Sequence, residues 1–154
     1  MTRKQILRDP SFRFNVREFV CPHIYERFGD SSMNFLDVKL LEVVLWIRKT
    51  LNKPMTINNW GSGKQYSQRG MRCNLCEEVK SKDKAYLSAH VLGQGIDFDV
   101  VDMTAEEVRQ WIDDHKEGLP HHIRLEKTSG GKPCTWVHLD VRNETPDKIV
   151  YFNG

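Results

Sequence analysis

A chain of 154 residues, 39% of them apolar, has room for one domain with its own hydrophobic core, so neither metal nor disulfides are needed merely to fold it. The charges nearly cancel, 23 Lys and Arg against 21 Asp and Glu, which excludes a disordered polyelectrolyte and gives no concentrated basic stripe for nucleic acid. No stretch approaches the roughly 20 apolar residues of a membrane span, so no membrane insertion is expected.

Met1 to Pro10 is polar and charged and reads as a loose N-terminal arm ahead of a single domain over residues 11–154. It lacks the apolar run of a signal peptide, and synthesis in the cytoplasm is the expectation. Phe12, Phe14, Val16, Phe19 and Val20 form an apolar lead-in that ends at Cys21-Pro22-His23. Between Asn34 and Leu51 the residues Leu40, Leu41, Val44, Leu45 and Leu51 recur at helical spacing, and Asn52-Lys53-Pro54 supplies the stop, which predicts the main core helix. Met55 to Asn58 alternates as a short strand, and Trp60-Gly61-Ser62-Gly63 opens a loop that runs to about Lys84. Long loops within small domains carry function or lack order, and this one holds Arg69, Arg72, Cys73 and Cys76.

Residues 95–101 alternate as a strand with Asp97 and Asp99 on one face and Ile96, Phe98 and Val100 on the other. Thr104 and Glu107 form a capping box, so a helix starts there, with Val108, Trp111 and Ile112 as its buried stripe. Residues 122–126 and 134–141 read as strands around the hairpin signal Ser129-Gly130-Gly131, and Ile149 to Phe152 as a last strand. Helices and strands do not alternate regularly, which predicts an α+β class with a mainly antiparallel sheet packed by helices.

Ser88-Ala89-His90-Val91-Leu92-Gly93-Gln94-Gly95-Ile96-Asp97 sets a histidine and a carboxylate seven residues apart, with two glycines between them that allow a tight fold. Downstream, Thr135-Trp136-Val137-His138-Leu139-Asp140 places a second histidine within a strand. Two histidines and one carboxylate make a three-ligand zinc set with a fourth position open, the arrangement of catalytic rather than structural sites. Taken alone, His90 and Asp97 also suit a capped turn beside a strand. His121 and His122, adjacent and therefore on opposite faces, read as surface residues.

Ser-x-His-x-x-Gly-x-x-x-Asp followed by Trp-Val-His resembles the zinc D-alanyl-D-alanine carboxypeptidases and L-alanyl-D-glutamate endopeptidases. The resemblance extends to Phe14-x-Val16-x-Glu18-Phe19-x-Cys21 and to Lys53-Pro54-Met55-Thr56-Ile57-Asn58-Asn59-Trp60. It implies an α+β sandwich shared with hedgehog signalling domains, with the site on the sheet. It implies Zn2+ held by His90, Asp97 and His138, and peptidoglycan stem peptides as substrate. Many of these enzymes have an acidic general base three residues before the last histidine, where this sequence has Thr135. A hairpin centred near Gly130 would set Glu126 opposite Thr135 or Trp136, which makes Glu126 the first candidate base, with Asp99 and Asp140 as fallbacks. Asp99 also suits an orienting hydrogen bond to a ligand. Arg69 or Arg72 supplies the arginine that holds substrate or oxyanion in this family.

Without a secretion signal, such an endolysin-like peptidase of phage or bacterial origin reaches the cell wall by lysis or by delivery. A monomer is the expectation. The alternative reading is a non-catalytic zinc-stabilised binding module of the same fold, motivated by Thr135. A redox or zinc-ribbon adaptor built on the cysteines is the third. Cys73-Asn74-Leu75-Cys76 is half of a zinc-ribbon pattern, which Cys21 and either Cys134 or His23 would complete, while reduced, packed thiols are the default expectation. Trp46 and Trp111 suit buried helix faces, and Trp60 and Trp136 suit the wall of a cleft.

Overall fold

Strands β2 (Gly95–Val100), β3 (Ile123–Ser129) and β5 (Val137–Asp140) alternate in character along the chain. In the computed structural model, which describes residues 1–154, that alternation separates the two faces of one sheet. Ile96, Phe98, Ile123, Leu125, Val137 and Leu139 turn to the core side and are buried. Asp97, Arg124, Glu126, His138 and Asp140 turn to the other side and line a common cavity.

The six strands run in the order β1 (Met55–Thr56), β2, β5, β3. β6 (Ile149–Asn153) lies along the free edge of β3, and the two-residue β4 (Lys132–Pro133) pairs with its far end. Every pairing is antiparallel except β3–β6, in agreement with the mainly antiparallel α+β architecture expected.

Helix α3 (Val38–Leu51) lays six buried side chains, Leu40 to Ile47, into the core beneath the sheet. Its first turn is capped by Asp37, which accepts from the Lys39 amide, and Asn52 ends it in the left-handed conformation. The residues from Gly29 to Phe35 form a 3-10 turn, so the helix starts at Val38, later than the hydrophobic period alone predicts. The capping box expected at Thr104 is present: the Glu107 carboxylate accepts from the Thr104 amide at 2.7 Å, and helix α5 (Ala105–Asp114) follows. Trp46 of α3 and Trp111 of α5 meet with ring centroids 5.5 Å apart.

Two short helices were not expected, α2 (Pro22–Phe28) and α4 (Glu77–Lys80), each starting immediately after a cysteine. The loose arm expected over residues 1–10 is corrected. Arg3–Arg8 is helix α1, closed by a Thr2–Gln5 capping box. Ile6 is fully buried, and the Arg3 guanidinium donates to the carbonyls of Met33 (2.6 Å) and Leu36 (2.8 Å). Sequence polarity misses this because a single apolar residue and one carbonyl-seeking arginine suffice to dock a one-and-a-half-turn helix. Replacing Ile6 by Ala is expected to cost about 2–5 kcal/mol, the range for a fully buried aliphatic side chain. Urea denaturation checks it: the midpoint falls at unchanged slope, whereas an undocked arm would leave the midpoint in place.

Candidate metal centre

Three elements bring the candidate ligands together. His90 sits on the turn before β2, which closes through Gln94 N–H donating to Ala89 O at 2.8 Å. Gly93 takes φ +67° there, and a Cβ at this position would come within 2.5 Å of the Phe35 carbonyl oxygen, so the tight turn requires glycine. Asp97 of β2 and His138 of β5 are direct cross-strand partners. Asp97 Oδ1 lies 2.8 Å from His138 Nδ1 and 3.4 Å from His90 Nε2.

One donor atom from each of His90, Asp97 and His138 lies within 4.8 Å of the other two. Around a tetrahedral zinc with bonds of about 2.0–2.1 Å, neighbouring donors stand roughly 3.3 Å apart, and the two measured separations bracket that value. Two imidazoles and a carboxylate are also the donor chemistry that zinc takes. The group is therefore able to hold a metal ion, and its composition is compatible with zinc.

Each candidate ligand is oriented by a second partner. His90 Nδ1–H donates to Gly70 O at 2.9 Å, which leaves Nε2 facing Asp97. His138 Nε2–H donates to Asp140 Oδ2 at 3.2 Å, which leaves Nδ1 facing Asp97. Asp140, fully buried, is gripped by Arg124 through two bonds of 2.8 Å. Arg72 donates to Asp97 Oδ2 at 3.3 Å. Such outer partners fix the tautomer and the ring orientation.

The electrostatics follow from burial and these contacts. Burial pushes the Asp97 carboxyl up, but the hydrogen bonds from His138 and His90 outweigh it and hold the group well below the usual carboxylate range. Burial opposes charge on His138, yet the bonds to Asp140 and Asp97 raise it to about 9. Asp140 is driven down to about 2, its burial overcome by His138 and Arg124. Glu126 moves the other way: burial raises its proton affinity, and the nearby Asp97 charge adds to this against the opposing pull of His138 and His90.

The ligands open onto a cavity of about 510 Å³. Glu126, Arg72, Arg142, Trp136, Tyr86 and Phe152 contribute to its walls, and the Phe152 ring meets His138 edge to face at 5.7 Å. The position of Glu126 depends on an irregularity in the strand pairing. Thr128 pairs with Pro133, but Arg124 pairs with Asp140, so four steps along β3 match seven along the returning chain and three residues are extruded. Buried Arg109 secures the extruded stretch by donating to the carbonyls of Cys134 and Trp136, both at 3.2 Å. Glu126 follows the Leu125–Leu139 pair and lines the same cavity as His138, while the carbonyl of the next residue, Lys127, already accepts from the Cys134 amide at 3.0 Å. The hairpin turn alone predicts the near register and misses the shift.

The two candidate arginines part company. Arg72 lines the cavity, whereas Arg69 pairs with Asp99 at 2.6 Å and stacks over the Tyr66 ring at 3.6 Å. Asp99 holds that arginine, and the orienting contact to a ligand comes from Asp140 instead. Trp136 borders the cavity, while Trp60 donates to Val20 O and packs on Tyr25 away from it. His121 bonds Glu42 and His122 bonds Thr145 O, both remote from the ligands. Arg124 and Arg142 were missed by sequence reasoning, although period-two alternation from His138 through Asp140 reaches Arg142.

Comparisons with protein families, with curated proteins and with solved structures return no match to this chain. Asp140→Asn is expected to weaken zinc binding about 10–100-fold while leaving all three donors in place. Competition against a chromophoric chelator measures it, and an unchanged affinity would deny Asp140 the orienting role.

Proposed function

We propose that this chain is a zinc-dependent peptidase acting on bacterial peptidoglycan stem peptides, with His90, Asp97 and His138 holding the ion and Glu126 serving as general base. The observation that carries this reading is the placement of Glu126 in the cavity shared by the three donors. The resemblance of Ser88–Asp97 and Trp136–His138 to the zinc carboxypeptidases and endopeptidases of the cell wall supplies the substrate class.

Zinc held at such a site supplies Lewis acidity, which acidifies a water molecule to a pKa of about 7 and polarises a carbonyl. Glu126 accepts the proton of the attacking water and delivers it to the departing amine. Burial raises its proton affinity, which moves it toward the working pH and lowers the penalty of taking up the proton. Arg72 and the exposed Arg142 make the cavity edge cationic, which suits the carboxylates of stem peptides. Trp136 and Phe152 give the apolar wall against which a peptide backbone lies.

A second reading, a zinc-stabilised binding module without activity, draws on Thr135, which is exposed and offers no carboxylate three residues before His138. Incubation of the zinc-loaded protein with peptidoglycan, followed by mass spectrometry of the soluble products, separates the two. Glu126→Gln is expected to lower the rate about 10²–10⁴-fold with zinc content retained, and His138→Ala to lose both zinc and products. Absence of any new product from the zinc-loaded wild type would favour the binding module.

A further inference from the structure

Three of the cysteines and His23 form a second constellation next to the segment that carries Gly70 and Arg72. Cys21 Sγ lies 3.7 Å from Cys73 Sγ, and His23 Nδ1 lies 3.7 Å from Cys73 Sγ and 3.9 Å from Cys76 Sγ. All four donors fall within 4.8 Å of one another, and Cys134 is not among them, since it lies against Glu126. With Zn–S bonds of about 2.3 Å and Zn–N bonds of about 2.0–2.1 Å, a tetrahedral site separates two sulfurs by roughly 3.8 Å and a sulfur from a nitrogen by roughly 3.6 Å. The Cys21–Cys73 separation matches the first value and far exceeds the ~2.05 Å of a disulfide.

We propose that Cys21, Cys73, Cys76 and His23, through Nδ1, bind a structural zinc ion in a closed Cys3His site. The three thiols lose their protons to solvent as the ion binds, and no fourth position remains for water, which separates this site in kind from the three-donor group at the cavity. Local structure is already arranged for it. Cys21 and Cys76 sit at the N-caps of α2 and α4, and the Leu75 amide donates to Cys73 Sγ at 3.4 Å.

The ion would clamp residues 19–23 to residues 70–76 where the backbones are already zipped together. Met71 N–H donates to Phe19 O at 2.6 Å, and Cys21 N–H to Met71 O at 3.0 Å. A Cβ on Gly70 would come within 2.2 Å of Phe19 O, so only glycine permits this approach. The same short segment presents Gly70 O to His90 and the Arg72 guanidinium to Asp97. The proposed clamp therefore anchors the strip that orients two of the three cavity donors, whether or not that cavity hydrolyses peptides.

Metal analysis of the full chain produced in zinc-supplemented medium is expected to give two zinc ions per chain, falling to one in His138→Ala and to one in Cys73→Ser. Replacement of zinc by cobalt(II) gives a readout that needs no variant to fold: thiolate-to-cobalt charge-transfer absorption arises only at the cysteine site, and it persists in His138→Ala. A wild type that holds one metal ion and shows no charge-transfer absorption overturns the proposal. So does a mass measurement, under denaturing non-reducing conditions, that finds Cys21 and Cys73 joined as a disulfide. Failure of the peptidoglycan assay bears on the cavity alone and leaves these outcomes unaffected.

Discussion

A carboxylate withdrawn from water stays ionised only if other groups replace the solvation it has lost, and Asp97 is such a carboxylate. Its side chain is nearly closed off from solvent, flanked along β2 by the fully buried Ile96 and Phe98. His138, His90 and Arg72 supply the replacement, one from the neighbouring strand and two from the chain before β2. Each of those groups must in turn be held, which is why Gly70 O, Asp140 and Arg124 are recruited around them. The polar face of the sheet is thus one connected network, and no buried side-chain polar atom is left without a partner.

The network needs the sheet register to be right to the residue, because a slip of one would turn His138 into the core and Leu139 onto the polar face. Two devices secure it. On one side Asp97 pairs with His138 in an uninterrupted four-residue ladder. On the other side three residues extruded between Pro133 and Leu139, in a stretch tied down by Arg109 at the Cys134 and Trp136 carbonyls, reset the return of the chain so that Arg124 meets Asp140 and Leu125 meets Leu139. A charged side chain almost closed to solvent on α5 therefore governs a placement on the far side of the sheet.

The parts of this arrangement that were legible in the sequence are those encoded by short-range patterns. Alternation in 95–101, the Thr104–Glu107 capping box and the helical period within 34–51 each follow from local sterics and hydrogen bonding, and each element is present, the helix from Val38. The convergence of His90, Asp97 and His138 was also legible, because the ligand types and their strand positions leave few ways to arrange them. What was not legible depends on long-range contacts. α1 forms through docking onto α3 and the Met33 and Leu36 carbonyls, and the three-residue extrusion depends on an arginine some 25 residues away. The choice of His23 over Cys134 beside the other cysteines belongs to the same class, since it is settled by where α2 and the hairpin lie in space.

Rigid strands hold Asp97 and His138, but His90 and Arg72 stand on irregular chain, where positional precision has to come from somewhere other than a hydrogen-bonded ladder. The backbone contacts between Phe19, Met71 and Cys21 supply part of it, and they work on a segment with few apolar side chains to anchor it. A metal cross-link through three thiolates and an imidazole at the end of that segment, as proposed, would restrict the same degrees of freedom that a strand would, at the cost of ordering only a few residues. Three donors at the cavity and four at the cysteine cluster would thus be complementary: the first arrangement would leave a position open on the ion, and the second would hold still the chain that carries His90's partner Gly70 and Asp97's partner Arg72.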